Sequence, residues 1–382
     1  MLKYFLFLYL FCFQSLLPAQ DTTYARSVIK ALTSKKCFGR GYINDGLNQG
    51  KLLILNELRK FQVTGFFKNN SFTESFQHPV NVFKQAIKLK LNGKQLVLGK
   101  DFIPSPNAPS VKGKIKLIKK DSVTFVSQDG KSFLLTVKNK LTYGVGLNHD
   151  NYAEIEIDKK AIESEPKEIE INLKAQLIKS FQSNNIGCRI NGTSTSDSLI
   201  VFCAHYDHLG GIGKSVYFPG ANDNASGVSF LLNLIKYYKA NQPKYTTIFL
   251  FFAAEEAGLL GSNYFVENHK YVLPKIKFLI NLDLLGTGDE GIMVVNGAVF
   301  TNQFSKLQSI NAKNNYLKEI KKRGKAQNSD HYWFTEIGVP SFFIYTLGGI
   351  KAYHDIYDVE STLPLTEFVD VFKLLTEFVN EL

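Results

Sequence analysis

Five short stretches of this chain carry side chains of the kind that hold metal ions, most of them where an apolar run ends. The run Leu199 to Ala204 leads into His205-Tyr206-Asp207-His208, and Thr246 to Ala253 leads through Ala254 into Glu255-Glu256. Phe278 to Leu282 leads into Asp283. Asp223 lies in the segment Gly220-Ala221-Asn222-Asp223-Asn224-Ala225-Ser226-Gly227, and His354-Asp355-Ile356-Tyr357-Asp358 forms a late loop. Zinc accepts imidazole nitrogen and carboxylate oxygen, and a catalytic zinc keeps one position open for water. Two metals about 3.5–4 Å apart can share a water and clamp a tetrahedral intermediate. Such a centre needs one bridging carboxylate and two further ligands for each metal. Five residues meet that count: His205 and Asp283 on one metal, Glu256 and His354 on the other, Asp223 between them. Glu255, adjacent to a ligand, is left as the general base that takes a proton from water and returns it to a leaving amine. Asp207, two residues after His205, is placed to orient that imidazole, and Asp358, four residues after His354, is expected to do the same there.

Each residue taken alone has an ordinary explanation. A histidine at a strand end is commonly a satisfied polar group. A Glu-Glu pair suits a helix start, where carboxylates complement the dipole, and an Asp after a strand often caps a helix. Asp223-Asn224-Ala225-Ser226-Gly227 reads equally as a turn that opens a helix. The joint occurrence of five such stretches carries the metal reading. No His-Glu-x-x-His sequence is present, so a single-zinc site on one helix has no support.

The elements around these residues read as α/β. Leu199 to Ala204 is a continuous apolar run, as expected for a strand covered on both faces. Thr246 to Ala253, Phe278 to Leu282 and Val339 to Tyr345 repeat the pattern, and Val228, Leu231, Leu232, Ile235 and Tyr238 recur at helical spacing. Leu365 to Leu382 is an amphipathic closing helix, and Ala25 to Phe61 is helical in parts. Alternating strands and helices imply a mixed, largely parallel sheet. In such sheets ligands gather beyond the carboxyl ends of the strands, which is where the candidate ligands lie.

Between about Pro79 and Lys179 the character changes. Ala86 to Leu91 and Lys114 to Ile118 alternate as half-buried strands, and Glu154 to Leu173 alternates again. Asn92-Gly93 and Asp129-Gly130 are hairpin turn signals. Few residues here suit a metal, so residues 79–180 read as a β-rich inserted domain.

Lys3 followed by an apolar run of 14 residues, Tyr4 to Leu17, and then Pro18-Ala19 before Gln20-Asp21 has the layout of a cleavable signal peptide over residues 1–19. A spanning helix needs about 20 apolar residues, so a stable membrane anchor after cleavage is not expected. A secreted or periplasmic protein follows. The formal charge of +11 is spread over scattered lysines and reads as a solvated basic surface, not a nucleic-acid site. Cleavage would leave Cys37, Cys188 and Cys203, three residues that cannot all pair within one molecule; a Cys37–Cys188 bridge stays open. Nothing in the sequence speaks to oligomeric state.

The motifs together resemble the M28 family of zinc aminopeptidases. They are His-Tyr-Asp at 205–207, Asn-Asp-Asn-Ala-Ser-Gly at 222–227, Glu-Glu-Ala-Gly-Leu-Leu-Gly-Ser at 255–262 and Asn-Leu-Asp at 281–283. Ser-Asp-His at 329–331, Gly-Val-Pro at 338–340 and His-x-x-x-Asp at 354–358 complete the series. The likeness spans about residues 25–77 and 183–382. It implies a three-layer α/β/α exopeptidase core formed by residues 20–78 and 181–382, with two zinc ions per chain. It implies the same five ligands, Glu255 as base, Asp207 behind His205, and a cis peptide bond after Asp223. It implies peptide or protein substrates trimmed from the N-terminus. The inserted segment stands where relatives often carry a protease-associated domain. The resemblance gives Asp330 and His331 no firm role, and His331 is expected to make a structural hydrogen bond. Two alternatives share the scaffold: a single-zinc glutaminyl cyclase, keeping Asp223, Glu256 and His354, and an inactive peptide-binding homologue.

Overall fold

The computed structural model describes residues 22–382. The signal-peptide reading of residues 1–19 lies outside them. Helices α1 (Thr22–Leu32) and α2 (Gly46–Lys60) precede two strands, β1 (Thr64–Gly65) and β2 (Thr73–Val82). After a long excursion the chain returns in β3 (Gln176–Ile190), then β4 (Leu199–His205), α3 (Gly227–Ala240), β5 (Thr246–Phe252) and α4 (Leu260–Asn268). It ends with β6 (Ile276–Leu282), β7 (Ile292–Val295), α5 (Thr301–Asn314), β8 (Ile320–Arg323), α6 (His331–Glu336), β9 (Ser341–Thr346) and α7 (Phe368–Asn380).

These nine strands form one mixed sheet in the order β1-β3-β5-β4-β6-β9-β7-β8, with β2 also on β3. The four middle strands, β5, β4, β6 and β9, run parallel. The flanks close antiparallel, β3 on β5 and β7 on β9. The continuous apolar runs are explained by cover on both faces. Ile200, Phe202 and Ala204 of β4 pack into a core shared with α1, α3 and α7. Val201 and Cys203 of the same strand pack oppositely, with Phe265 and Val266 of α4 and Phe334 of α6. The expected three-layer α/β/α arrangement with a mixed central sheet is therefore present. Strand edges fall within a few residues of the sequence reading; β9 starts at Ser341 rather than Val339 because Pro340 cannot donate to a ladder.

Strands β2 and β3 pair from Thr73 opposite Ile186 to Val82 opposite Gln176, so the chain leaves and rejoins the main sheet side by side. Between them lies a separate eight-stranded sheet with its own core, including Leu89, Phe102, Phe133, Leu135, Ile155 and Ile171. Its first hairpin turns on Asn92-Gly93, with Leu91 opposite Lys94 and φ of 47° and 86° at the two turn residues. Both are left-handed, the geometry that a two-residue hairpin of this sequence requires. The alternation from Glu154 to Leu173 resolves into two strands, Ala153–Asp158 and Glu168–Leu173. Asp158 caps a short turn by accepting the Lys160 N–H, and this ends the first of them. Leu209, Ile212 and Phe218, on the loop after β4, pack into the core of this second sheet.

Cys37, Cys188 and Cys203 are each free and buried, so the bridge left open by the sequence does not form. Among the described residues no helix is long and apolar enough to cross a membrane.

Candidate metal centre

The parallel strands deliver the site. β4 ends on His205, β5 is followed by Glu255 and Glu256, and β6 is followed by Asp283. Asp223 comes from the turn that opens α3, and His354 from the chain after β9. The five candidate ligands and Glu255 line one cavity of about 200 Å³ that also touches Phe343, Tyr345 and Tyr353, and Asp207 lies directly behind it, against His205 and the backbone of Glu255 and Glu256.

The two carboxylate oxygens of Asp223 face different imidazoles. Oδ1 lies 3.4 Å from Nε2 of His205, and Oδ2 lies 3.1 Å from Nε2 of His354. On the first side Asp283 Oδ2 is 3.3 Å from the same His205 nitrogen. On the second side Glu256 Oε2 is 3.2 Å from the same His354 nitrogen. The peptide bond between Asp223 and Asn224 is cis.

Asp207 differs in detail from expectation. His205 Nδ1 meets the main-chain oxygen of Asp207 at 3.2 Å, while the Asp207 carboxylate is 3.8 Å away. That carboxylate accepts the backbone N–H groups of Glu255 (3.1 Å) and Glu256 (3.3 Å). It thus fixes the turn carrying the two glutamates as well as bordering the imidazole. Asp358 needs a correction. It was expected to orient His354, but its carboxylate accepts the N–H groups of Asn222 (2.9 Å) and Asp223 (3.0 Å) and so holds the Asp223 turn. The i, i+4 spacing misled because residues 354–358 form no helix.

Two further residues escaped the sequence reading. His208 Nδ1 donates to Glu256 Oε1 at 2.7 Å and lies 3.9 Å from Asp223 Oδ1. Its place three residues after His205 was visible, but loop spacing does not say which way a side chain faces. Arg40 lies fully buried beneath the site. Its guanidinium donates to the carbonyls of Tyr206 (2.9 Å), Leu32 (3.2 Å), Pro219 (2.7 Å), Gly220 (2.8 Å) and Asp223 (3.1 Å). Five donors thus meet five acceptors. The only sequence signal was its flanking glycines. A Cβ on Gly41 would stand 2.3 Å from Gly210 Cα, so glycine is needed for this loop to dock against the one after β4.

The electrostatics call for cations. Burial pushes the Asp223 carboxyl up, but His205, His354 and His208 outweigh it and hold it well below the usual carboxylate range. Glu256 is likewise raised by burial and by Asp223, yet His354 and His208 bring it down to about 2. Burial raises Glu255 well above that range, with Glu256, Asp330 and Asp283 adding to the effect against His205. Asp207 is pushed to about 7, chiefly by burial. Burial opposes the proton on His354, but Glu256 and Asp223 raise it to about 11. His205 Nε2, His208 Nε2 and Asp283 Oδ1 are buried without a hydrogen-bond partner. Such orphans are costly unless something else satisfies them. His205, Asp223 and Asp283 form one group able to hold a metal ion, and His208, Asp223 and Glu256 form another. A hard or borderline divalent cation fits this donor set.

Behind Asp283, Ser329 donates to Asp283 Oδ2 at 3.4 Å and accepts from Asn281 Nδ2 at 2.7 Å. The neighbouring His331 is buried, and its Nδ1 has no partner among the described residues, so the hydrogen bond expected of it is not made by that nitrogen. Burial pulls this imidazole down to about 3. An unfolded histidine takes its proton near pH 6.5, whereas folded His331 resists until about pH 3. Stability is therefore lost as pH falls from about 6.5 toward 3, by up to about 1.4 kcal/mol per pH unit. His331→Phe is expected to shrink the difference between urea midpoints at pH 7 and pH 5; an unchanged difference would show that His331 does not titrate in this way.

The sequence profile described as peptidase family M28 matches residues 185–379. An aminopeptidase of Bacillus subtilis is 28% identical over 220 residues, covering 54% of this chain and 46% of its own length. The chain spans less than half the length of the curated relatives that head the comparison. The solved structure of a zinc aminopeptidase from Bacillus subtilis superposes with a TM-score of 0.70 at 20% identity, over 96% of this chain and 95% of that one. A glutaminyl cyclase from an Acidobacteriales bacterium superposes with a TM-score of 0.58 at 14% identity, over 96% of each chain. At these identities the superpositions speak for the fold alone.

Proposed function

The chain belongs to peptidase family M28, and we propose that it is an exported zinc aminopeptidase that releases N-terminal residues from peptides. The observation that carries this reading is the division of Asp223 between two imidazoles, Oδ1 toward His205 and Oδ2 toward His354. A carboxylate so placed is a bridging ligand. His205 and Asp283 then hold one zinc, and Glu256 and His354 the other. His208 is a second candidate for the latter site. We favour His354, because its Nε2 faces the free oxygens of both carboxylates, whereas His208 is engaged in a 2.7 Å hydrogen bond that steadies Glu256.

When bound, two zinc ions supply Lewis-acid polarisation of the scissile carbonyl and make water nucleophilic near neutral pH. The protein's own groups do the rest. Glu255 accepts the proton of the attacking water. The water oxygen adds to the carbonyl carbon, the C–N bond breaks, and Glu255 delivers the proton to the departing nitrogen. Its enclosed carboxyl, with raised proton affinity, suits both halves of that task. Asp207 keeps Glu255 and Glu256 in register through their backbone N–H groups.

The test is a substrate panel on the chain lacking residues 1–19, with metal content measured on the same sample. Free aminoacyl chromogenic substrates should be cleaved and their N-acetylated forms spared, with two zinc ions per chain and loss of turnover on chelation. Equal cleavage of blocked substrates overturns the aminopeptidase reading. One zinc per chain with pyroglutamate-forming activity assigns the site to the cyclase alternative instead.

A further inference from the structure

We infer that the β-rich segment sets the position of His354 and that Lys140 is the positioning residue through which it does so. The inference rests on His354 being a metal ligand, as proposed above. Between Thr346 and Glu360 the chain belongs to no helix or strand, so no sheet or helix ladder fixes the stretch that carries His354. His354 itself has φ of 53°. That left-handed conformation is uncommon for a residue with a side chain and persists where its surroundings impose it.

Gly349 and Asp358, toward the ends of the stretch, bond to Asp289 and to the Asp223 turn, whereas the main chain on either side of His354 is held by the β-rich segment. Lys140 lies just beyond its strand Phe133–Lys138. The Lys140 ammonium donates to the carbonyls of Lys351 (3.0 Å) and Tyr353 (3.1 Å) and pairs with Asp355 Oδ2 at 2.9 Å. An ammonium has three N–H donors, and here all three go to one loop, at alternate residues on either side of His354. Asp355 in turn accepts the N–H of Tyr357 at 2.9 Å. Three residues after Lys140, the Tyr143 N–H donates to the His354 carbonyl at 2.9 Å. The Tyr143 ring stacks on Phe218, with centroids 4.7 Å apart, on the loop that runs on to Asp223. A four-residue stretch of the β-rich segment thus grips the loop that carries His354 and, through Phe218, packs against the loop that carries Asp223.

Lys140 retains 47% of its side-chain exposure, and exposed ion pairs contribute little to global stability. The effect should therefore appear at the metal and not in the melting temperature. Lys140→Met in the full-length chain is expected to retain the second zinc about tenfold more weakly in chelator competition. Its melting temperature should stay near wild type, while amide exchange across residues 347–359 rises. Lys140→Arg should restore most of the zinc retention. Lys138→Met is the control, since it breaks a 3.2 Å pair with Glu156 of the neighbouring strand Ala153–Asp158 without touching the loop. Lys140→Met with wild-type zinc retention and exchange overturns the inference, as does an equal loss in Lys138→Met. A wild-type chain that binds no zinc, with exchange still raised by Lys140→Met, places the failure in the metal reading and not in the grip on the loop.

Discussion

Glu255→Gln is expected to lower kcat by about 10²–10⁴-fold while leaving zinc content at the wild-type level. The carboxamide keeps the volume of the side chain but cannot take a proton from water. The backbone N–H of residue 255 still donates to Asp207, so the turn holding Glu256 stays in place. The neighbouring substitution, Glu256→Gln, should behave differently. Glu256 meets His354 and His208 and is held ionised, down to about 2, against the cost of burial. Its loss should therefore appear first as weakened metal retention. The pair of variants separates proton transfer from ligation at adjacent positions. Stability of the metal-free protein gives an independent check. The folded-state proton affinity of Glu255 is raised, so its ionised form costs stability, increasingly as pH climbs above the unfolded carboxylate value. Metal-free Glu255→Gln should then melt at or above the metal-free wild type at pH 7. Peptide hydrolysis that survives Glu255→Gln with unchanged kcat would sink the base assignment.

What the sequence revealed follows from where regular structure makes spacing meaningful. The runs Leu199 to Ala204 and Phe278 to Leu282 were legible because strands buried on both faces need apolar side chains at every position. Once those strands were placed, the polar residues at their ends were drawn to one edge of a parallel sheet, and His205, Glu256 and Asp283 followed. Asp223 and His354 lie on loops and were named as candidates by counting ligands and by family likeness. Loop spacing alone failed for Asp358, which turned toward Asn222 and Asp223. It also failed for His208, whose partner Glu256 is 48 residues away. The hold of Lys140 on residues 351–355 spans 211 residues or more and left no local trace. Contacts of this kind depend on how two sheets are docked, which no periodicity records.

Arg40→Met should destabilise the protein by about 3–5 kcal/mol, the usual consequence of removing one member of a buried charged network. Methionine matches the aliphatic stem but strands five carbonyl acceptors, those of Leu32, Tyr206, Pro219, Gly220 and Asp223. It also removes a positive charge that faces Asp223, Asp358 and Asp207. For a chain of this size that corresponds to a fall in melting temperature of about 5 °C. Arg40→Lys separates charge from geometry. Lysine keeps the charge but offers three donors in place of a planar fork of five, so it should fall between Arg40→Met and wild type. Added zinc should recover part of the loss in both variants, because bound cations offset the same carboxylates. Arg40→Met melting within about 1 °C of wild type, against the ~5 °C expected, would show that these acceptors find other partners. Arg40 lies outside residues 185–379, the stretch matched by the family profile. A fragment restricted to that stretch keeps all five proposed ligands but loses the guanidinium that ties the Tyr206 and Asp223 backbones together. It should bind zinc more weakly than the full chain, and equal affinity would mean that the ligand loops need no such tie.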